Sequence, residues 1–243
     1  MLKNKILILK KRSYDILTLF FVHSKSHLYL GWLARQFETI EFMVKHSKWV
    51  AQNKIQNSIL NGFIRGDVKQ LHETIFKDEK LESPIDYLEF GVATGTTLGW
   101  WTTMNRHPDT RFYGFDTFTG LPEKWQAFTE GTFSNDGHFP DINDNRVTFI
   151  KGLFQETFHV FLKNRSFNRR MVVHLDADLF SSTLCVLTQL YPHIKKNDIL
   201  IFDELNDVRH EFKALMLFSE AFYVKYEVLS GMNGFCNVAV KIL

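Results

Sequence analysis

From Pro84 onward, short apolar runs bounded by Gly, Asp or Asn alternate with stretches of helical periodicity: "IDYLEFGV", "RFYGFD", "VTFIKG", "MVVHLDAD" and "DILIFDE". Parallel neighbours need a crossover, and a crossover helix must bury its apolar stripe on the sheet, so this alternation predicts a parallel sheet covered on both faces. The last two runs, "YVKYEVLS" and "GFCNVAVKIL", flank only "GMN". That connection is too short for a crossover and predicts an antiparallel hairpin. The expected class is therefore α/β, a doubly wound, Rossmann-like sheet ending in a hairpin. Ahead of it, residues 35–80 place apolar side chains at helical spacing, with Gly62 and Gly66 as breaks. The organisation read is a helical N-terminal extension over 1–80 and a sheet domain over 81–243, with no internal repeat or Pro-rich linker.

Charge and cysteine usage exclude several classes. Against 27 acidic residues the chain sets 29 Lys and Arg, a net +2, with no clustered basic face of the kind nucleic acid needs. Its two cysteines, Cys185 and Cys236, sit in apolar segments without a C-x-x-C partner, which suits ordinary packing in a reducing, cytoplasmic compartment. At the N-terminus "ILTLFFV" is short and is followed by "HSKSH", so neither a signal peptide nor a stable membrane span of roughly 20 apolar residues is expected. Helices rich in Phe, Leu and Trp there suit packing on the domain or a homodimer interface, with a basic amphipathic contact to a membrane surface as the minor reading.

Two stretches carry chemistry. In "YLEFGVATGTTLGWW" a strand ends at Glu89, Gly91 and Gly95 open a turn, and a helix begins near Thr96. The glycines let backbone approach a ligand and the helix start offers free N–H groups, although a tight turn with no ligand fits equally. The dinucleotide fingerprint G-x-G-x-x-G is absent. Asp116 follows Glu89 by 27 residues at the end of the next strand, where a carboxylate is placed for ribose hydroxyls. The second stretch is "HLDADLF" read with "DILIFDELND". Asp203 and Glu204 follow Asp176 by 27 and 28 residues, so all three lie at the carboxyl edge of adjacent strands, where three acidic oxygens suit a hard cation such as Mg²⁺. Asp178 either faces that site or, with Ser181 and Ser182, caps the next helix.

The motifs "YLEFGVATGTT", "FYGFDTFTGLPEKW", "GTFSNDGHFP", "KGLFQETF", "HLDADLFSST" and "ILIFDE" follow one another as in the macrocin O-methyltransferase-like (TylF-like) family of class I S-adenosylmethionine-dependent methyltransferases, which the chain resembles from about residue 84 to 220. The resemblance implies a seven-stranded sheet with its last strand antiparallel. It also implies methyl transfer to a hydroxyl of a sugar or natural-product type small molecule, with Mg²⁺ near the substrate. Carried over by position, Glu89, Gly91 and Gly95 form the methionine-side turn, Asp116 takes the ribose, Phe154 and Gln155 flank the adenine, and Asp176, Asp203 and Glu204 hold the metal. Here Asp203-Glu204 stands where the family usually has Asp-Asp, which puts the metal less securely than the cofactor.

For the proton of the accepting hydroxyl, the candidate bases are Asp176, His138 in a loop over the site, and His210 beyond the metal pair. His174 is expected in a strand, its side chain alternating away from Asp176 or meeting a backbone partner. Trp100, Trp101, Phe118, Trp125 and Phe128 are expected as core and lid packing around the cofactor mouth, and "FTEGTFSNDGHFPDINDN" as a mobile flap. Two rival functions remain: a metal-dependent glycosyltransferase using "DAD" for a sugar nucleotide, and a non-catalytic module that keeps the cofactor site.

Overall fold

The computed structural model describes residues 2–53, 67–163 and 165–243, with side chains from residue 10 onward. Gly62 and Gly66, read as helix breaks, lie outside the described residues. The chain divides into two compact units, Met1–Lys45 and His46–Leu243.

The first unit holds helix α1 (Leu2–His23) and most of α2 (His27–Asn53), joined by a turn in which Lys25 takes a left-handed φ of 51°. The hydroxyl of Ser26 closes the end of α1 by donating to the Phe21 carbonyl at 2.9 Å. No helix among the described residues is long and apolar enough to cross a membrane.

The second unit begins with the last turns of α2, where Trp49 Nε1 donates to the Tyr226 hydroxyl at 2.9 Å and His46 meets Phe212 edge-on. Helix α3 (Lys69–Asp78) follows, and then the strands β1 (Ile85–Phe90), β2 (Arg111–Asp116), β3 (Val147–Lys151), β4 (Arg170–Leu175), β5 (Ile199–Phe202), β6 (Tyr226–Met232) and β7 (Asn237–Ile242). Their crossovers are α4 (Thr96–Met104), α5 (Phe154–Lys163), α6 (Phe180–Leu190) and α7 (Glu211–Phe222), while a long irregular loop joins β2 to β3. The sheet runs β3-β2-β1-β4-β5-β7-β6, with every pair parallel except those made by β7. This is the seven-stranded class I methyltransferase arrangement, its last strand antiparallel.

Burial explains the order. β1, β4 and β5 are central and buried along nearly their whole length, which is why they read as unbroken apolar runs. Strand alternation sends Tyr87, Val172 and Ile201 to one face, where they join Trp101, Ile75 and Phe112 under α3 and α4. Phe90 and Phe115 go to the other, where their rings stack at 4.6 Å and meet Phe158 of α5 edge-on. The same alternation carries Glu89, His174 and Asp203 onto the α3/α4 face, at the carboxyl ends of three adjacent strands.

Candidate active site

The turn after β1 is built by its neighbours. Gly91 has φ 94°, and a Cβ there would sit 1.8 Å from the Asp176 carbonyl oxygen. The close approach follows from pairing, because Asp176 N donates to Phe90 O at 2.9 Å as β4 leaves the sheet. Gly95, with φ 77°, precedes α4, and a Cβ on it would meet Pro140 at 2.6 Å. Both glycines, expected to admit a ligand, are thus already required by protein atoms. Asp116 locks the turn: its Oδ2 accepts the N–H groups of Val92 and Ala93 at 2.7 and 2.8 Å, and its Oδ1 accepts that of Phe118 at 2.6 Å. The carboxylate expected to meet a ribose stands beside the Gly91 turn, half-buried, with both oxygens already anchored.

Under the turn runs a buried polar row. The Tyr87 hydroxyl donates to Glu89 Oε2 at 2.6 Å, and the His174 imidazole lies between that oxygen, 3.5 Å from Nδ1, and Asp203 Oδ1, 3.9 Å from Nε2. Burial works against a charged imidazole, yet the carboxylates of Asp203 and Glu89 outweigh it and hold the His174 pKa well above the ordinary value. Asn237, at the start of β7, donates to the same Asp203 oxygen at 2.8 Å. Beside the row, His72 of α3 accepts from Trp101 Nε1 at 3.1 Å, and burial followed by the neighbouring His174 pushes its pKa down to about 3, leaving it neutral. The expectation that His174 either alternates away from Asp176 or meets a backbone partner is corrected here: the imidazole lies between the carboxylates of Glu89 and Asp203 and feels the charge of Asp176 as well.

The acidic edge is crowded. Burial, followed by the charge of Asp203, raises the Asp176 pKa well above the carboxylate range. Burial, followed by Glu204, Asp203, Asp207 and Asp116, lifts that of Asp178 to about 7. Among the described residues, however, no three His, Cys, Asp or Glu side chains are already arranged to hold a metal. Asp203 is engaged by Asn237, and Glu204 Oε2 accepts from the Cys236 thiol at 3.1 Å. Asp178 does not cap α6 and neither do Ser181 and Ser182: the helix has no side-chain cap donated from its own start, and Ser181 binds Glu123 at 2.9 Å. Asp178 instead takes a left-handed φ of 57°.

The remaining sequence candidates are scattered more widely. His210 Nδ1 accepts the N–H of Phe180 at 3.2 Å and so serves the first turn of α6. His138 is exposed in the loop, its backbone paired with Asn135. Phe154 is buried edge-on against Phe90, whereas Gln155 is exposed at the start of α5. Trp101, Phe118 and Trp125 are buried as expected of packing residues, and Trp125 stacks with Phe128 at 5.4 Å. The loop expected as a flap lies on the turn through Pro140 and Ile142, and Arg146 at its end donates to the carbonyls of Thr102, Asn105 and His107. Sequence reasoning missed Tyr87, His72, Asn237 and Glu211. Glu211, fully buried, accepts the Glu204 N–H at 2.9 Å, and burial raises its pKa well above the usual range. Only Tyr87, two residues from Glu89 in the same strand, carried a local signal.

Sheet order, glycine turn and strand-end carboxylates together are those of the class I methyltransferase fold. Over residues 127–233, a little under half of its length, the chain matches the model of the macrocin-O-methyltransferase (TylF) family. Solved structures agree on the fold. The calicheamicin methyltransferase CalS11 superposes with a TM-score of 0.58 at 21% identity, covering 83% of this chain and 91% of that one. A second CalS11 structure, described as an apo TDP-rhamnose 3'-O-methyltransferase, gives 0.52 at 22%, covering 83% and 93%. The O-methyltransferase NovP gives 0.51 at 20% over 72% of this chain and 77% of its own, and a CmcI structure described as a Mg–SAM form gives 0.50 at 17% over 74% and 72%. At these identities the likeness is one of fold. No curated protein matches the chain.

Proposed function

We propose that the protein is an S-adenosylmethionine-dependent, Mg²⁺-assisted O-methyltransferase acting on a hydroxyl of a sugar or natural-product type small molecule. The observation that carries this reading is the joint placement of two features at one sheet edge. The Gly91 turn is clamped by Asp116 at the ends of β1 and β2, and the acidic groups Asp176, Asp178, Asp203 and Glu204 stand at the ends of β4 and β5. The sugar assignment rests on CalS11, described as a TDP-rhamnose methyltransferase, and the metal on the Mg–SAM form of CmcI.

The residues present fit a divalent cation in charge, since crowded carboxylates with raised proton affinity are those a cation would stabilise. Asp176 and Asp203 would hold it, joined by Glu204 once that side chain leaves Cys236. A bound Mg²⁺ supplies orientation and acidity to the accepting hydroxyl, and the sulfonium of the cofactor supplies an electrophilic methyl group. The chain does the rest. Asp116 and the Gly91 turn fix the nucleoside end, the Pro140–Ile142 loop shields the turn from water, and close placement of the two reactants supplies much of the acceleration.

Asp176 is the group that takes the hydroxyl proton. Burial and the charge of Asp203 favour its protonated form, so it accepts the hydroxyl proton only as the charged carboxylate that a bound cation would favour. His210 has Nδ1 committed to Phe180, so its neutral form carries the proton on Nε2. His138 points from an exposed loop. A glycosyltransferase reading leaves the Gly91 turn and Asp116 unexplained.

The test is thermal unfolding with S-adenosylmethionine, S-adenosylhomocysteine, and UDP-glucose with Mg²⁺. A ligand at about 100 times its dissociation constant adds roughly 2.7 kcal/mol. Stabilisation by the adenosyl ligands, lost in Asp116→Ala, supports the reading. Stabilisation by the sugar nucleotide alone would overturn it, and the absence of any shift would point to a module without its ligand.

A further inference from the structure

The exposed apolar surface of this protein is concentrated in one unit. Of the 23 large hydrophobic side chains exposed among the described residues, 16 fall between Tyr14 and Val44. Phe20 is 63% exposed, Trp32 72% and Tyr29 77%. Scattered single exposures are ordinary, but so many within 31 consecutive residues mark a contact surface.

Charge is segregated in the same way. Residues 1–45 contain eight Lys and Arg against three Asp and Glu, while the remaining residues contain 21 against 24. The near-neutral total of +2 therefore conceals a basic unit of +5 and an acidic remainder of −3. Lys10, Lys11, Arg12, Lys25 and Arg35 are exposed alongside the apolar side chains. Against a second copy of itself this unit would set like charge on like charge, whereas an anionic surface complements it. Exposed Trp and Tyr beside Lys and Arg suit the boundary between headgroups and acyl chains. No helix among the described residues is long and apolar enough to cross a bilayer, which suits contact along its surface.

We infer that α1 and the first part of α2 form a docking surface for an anionic phospholipid bilayer, with apolar side chains entering the headgroup boundary and the basic side chains meeting phosphates. The inference does not depend on the methyltransferase reading. Flotation of the full chain with phosphatidylcholine–phosphatidylglycerol vesicles, compared with phosphatidylcholine alone, tests it. The protein should float with the anionic vesicles and be released by salt. Replacing Lys10, Lys11 and Arg12 together by Gln should weaken partitioning about 100-fold, at about 1 kcal/mol per basic residue. Trp32→Glu should abolish partitioning, and an unchanged melting transition in both variants would exclude unfolding as the cause. Failure to float, or equal flotation with neutral vesicles that ignores salt, would overturn the inference. So would a stable dimer, seen by light scattering, that Trp32→Glu dissociates in a protein without vesicle binding, since the surface would then belong to a second copy.

Discussion

Single side chains at the sheet edge carry the sharpest predictions. Asp178 has a folded pKa of about 7, above the roughly 3.9 of an unfolded aspartate. The folded state therefore holds its proton more tightly, and the stability present near the lower value is lost as pH rises through the upper one. Asp178→Asn should be more stable than wild type at alkaline pH, by on the order of 2 kcal/mol for a partly solvated group, and equal to it near pH 4. Millimolar Mg²⁺ should narrow the gap by stabilising the charged wild type; a gap independent of pH would show that the crowding is relieved in solution. His174→Leu has the opposite sign. It leaves Glu89 and Asp203 facing each other across a buried gap without the imidazole between them. Urea denaturation should show a loss of about 3 kcal/mol, the scale for removing one partner of a buried ionic group. A loss below about 1 kcal/mol would mean the row is held by Tyr87 and Asn237 alone.

Among elements, the β1–α4 turn is the most constrained. Gly91→Ala would bring a Cβ to 1.8 Å of the Asp176 backbone at a left-handed φ, and backbone cannot step aside as a flexible side chain can. Thermal denaturation should report a cost of about 3 kcal/mol, combining left-handed strain with overpacking. Mild destabilisation would show that β4 can leave β1 at small cost. The turn was legible in the sequence because Gly, Gly and a following helix start are local signals. Its reason was not, since the atoms that forbid a side chain come from the end of β4 and from Pro140 in the loop. The element ends misled in the same way. Asp178, Ser181 and Ser182 have the right chemistry for a helix cap, but a histidine 30 residues beyond Phe180 supplies the acceptor instead.

Across the whole molecule, Glu79 at the end of α3 binds Arg170 at 2.6 Å and Lys241 at 3.0 Å, joining the start of β4 to the end of β7. Burial opposes its charge, but the two cations outweigh that and hold its pKa below the ordinary value. The resulting stability is present above the unfolded value and is lost as pH falls through the folded one. Glu79→Gln should therefore cost about 1 kcal/mol at neutral pH and lose that cost as the wild-type carboxylate is protonated in acid, read from the pH dependence of urea midpoints. A cost that persisted in acid would assign the effect to packing. By itself, the sequence determined the sheet and its order of elements, because alternation of apolar runs, glycines and helical stretches is written locally and repeats along the chain. It also brought Asp116, Asp176, Asp203 and Glu204 to one edge, since strand ends in a parallel sheet share a side. Only the tertiary structure decided where those carboxylates point and what holds them. Asn237 and Cys236 reach Asp203 and Glu204 from the start of the last strand and the turn before it, and Glu89 meets His174 through strand register. The burial and neighbouring charges that raise or lower the proton affinity of these groups come from elements no local pattern names.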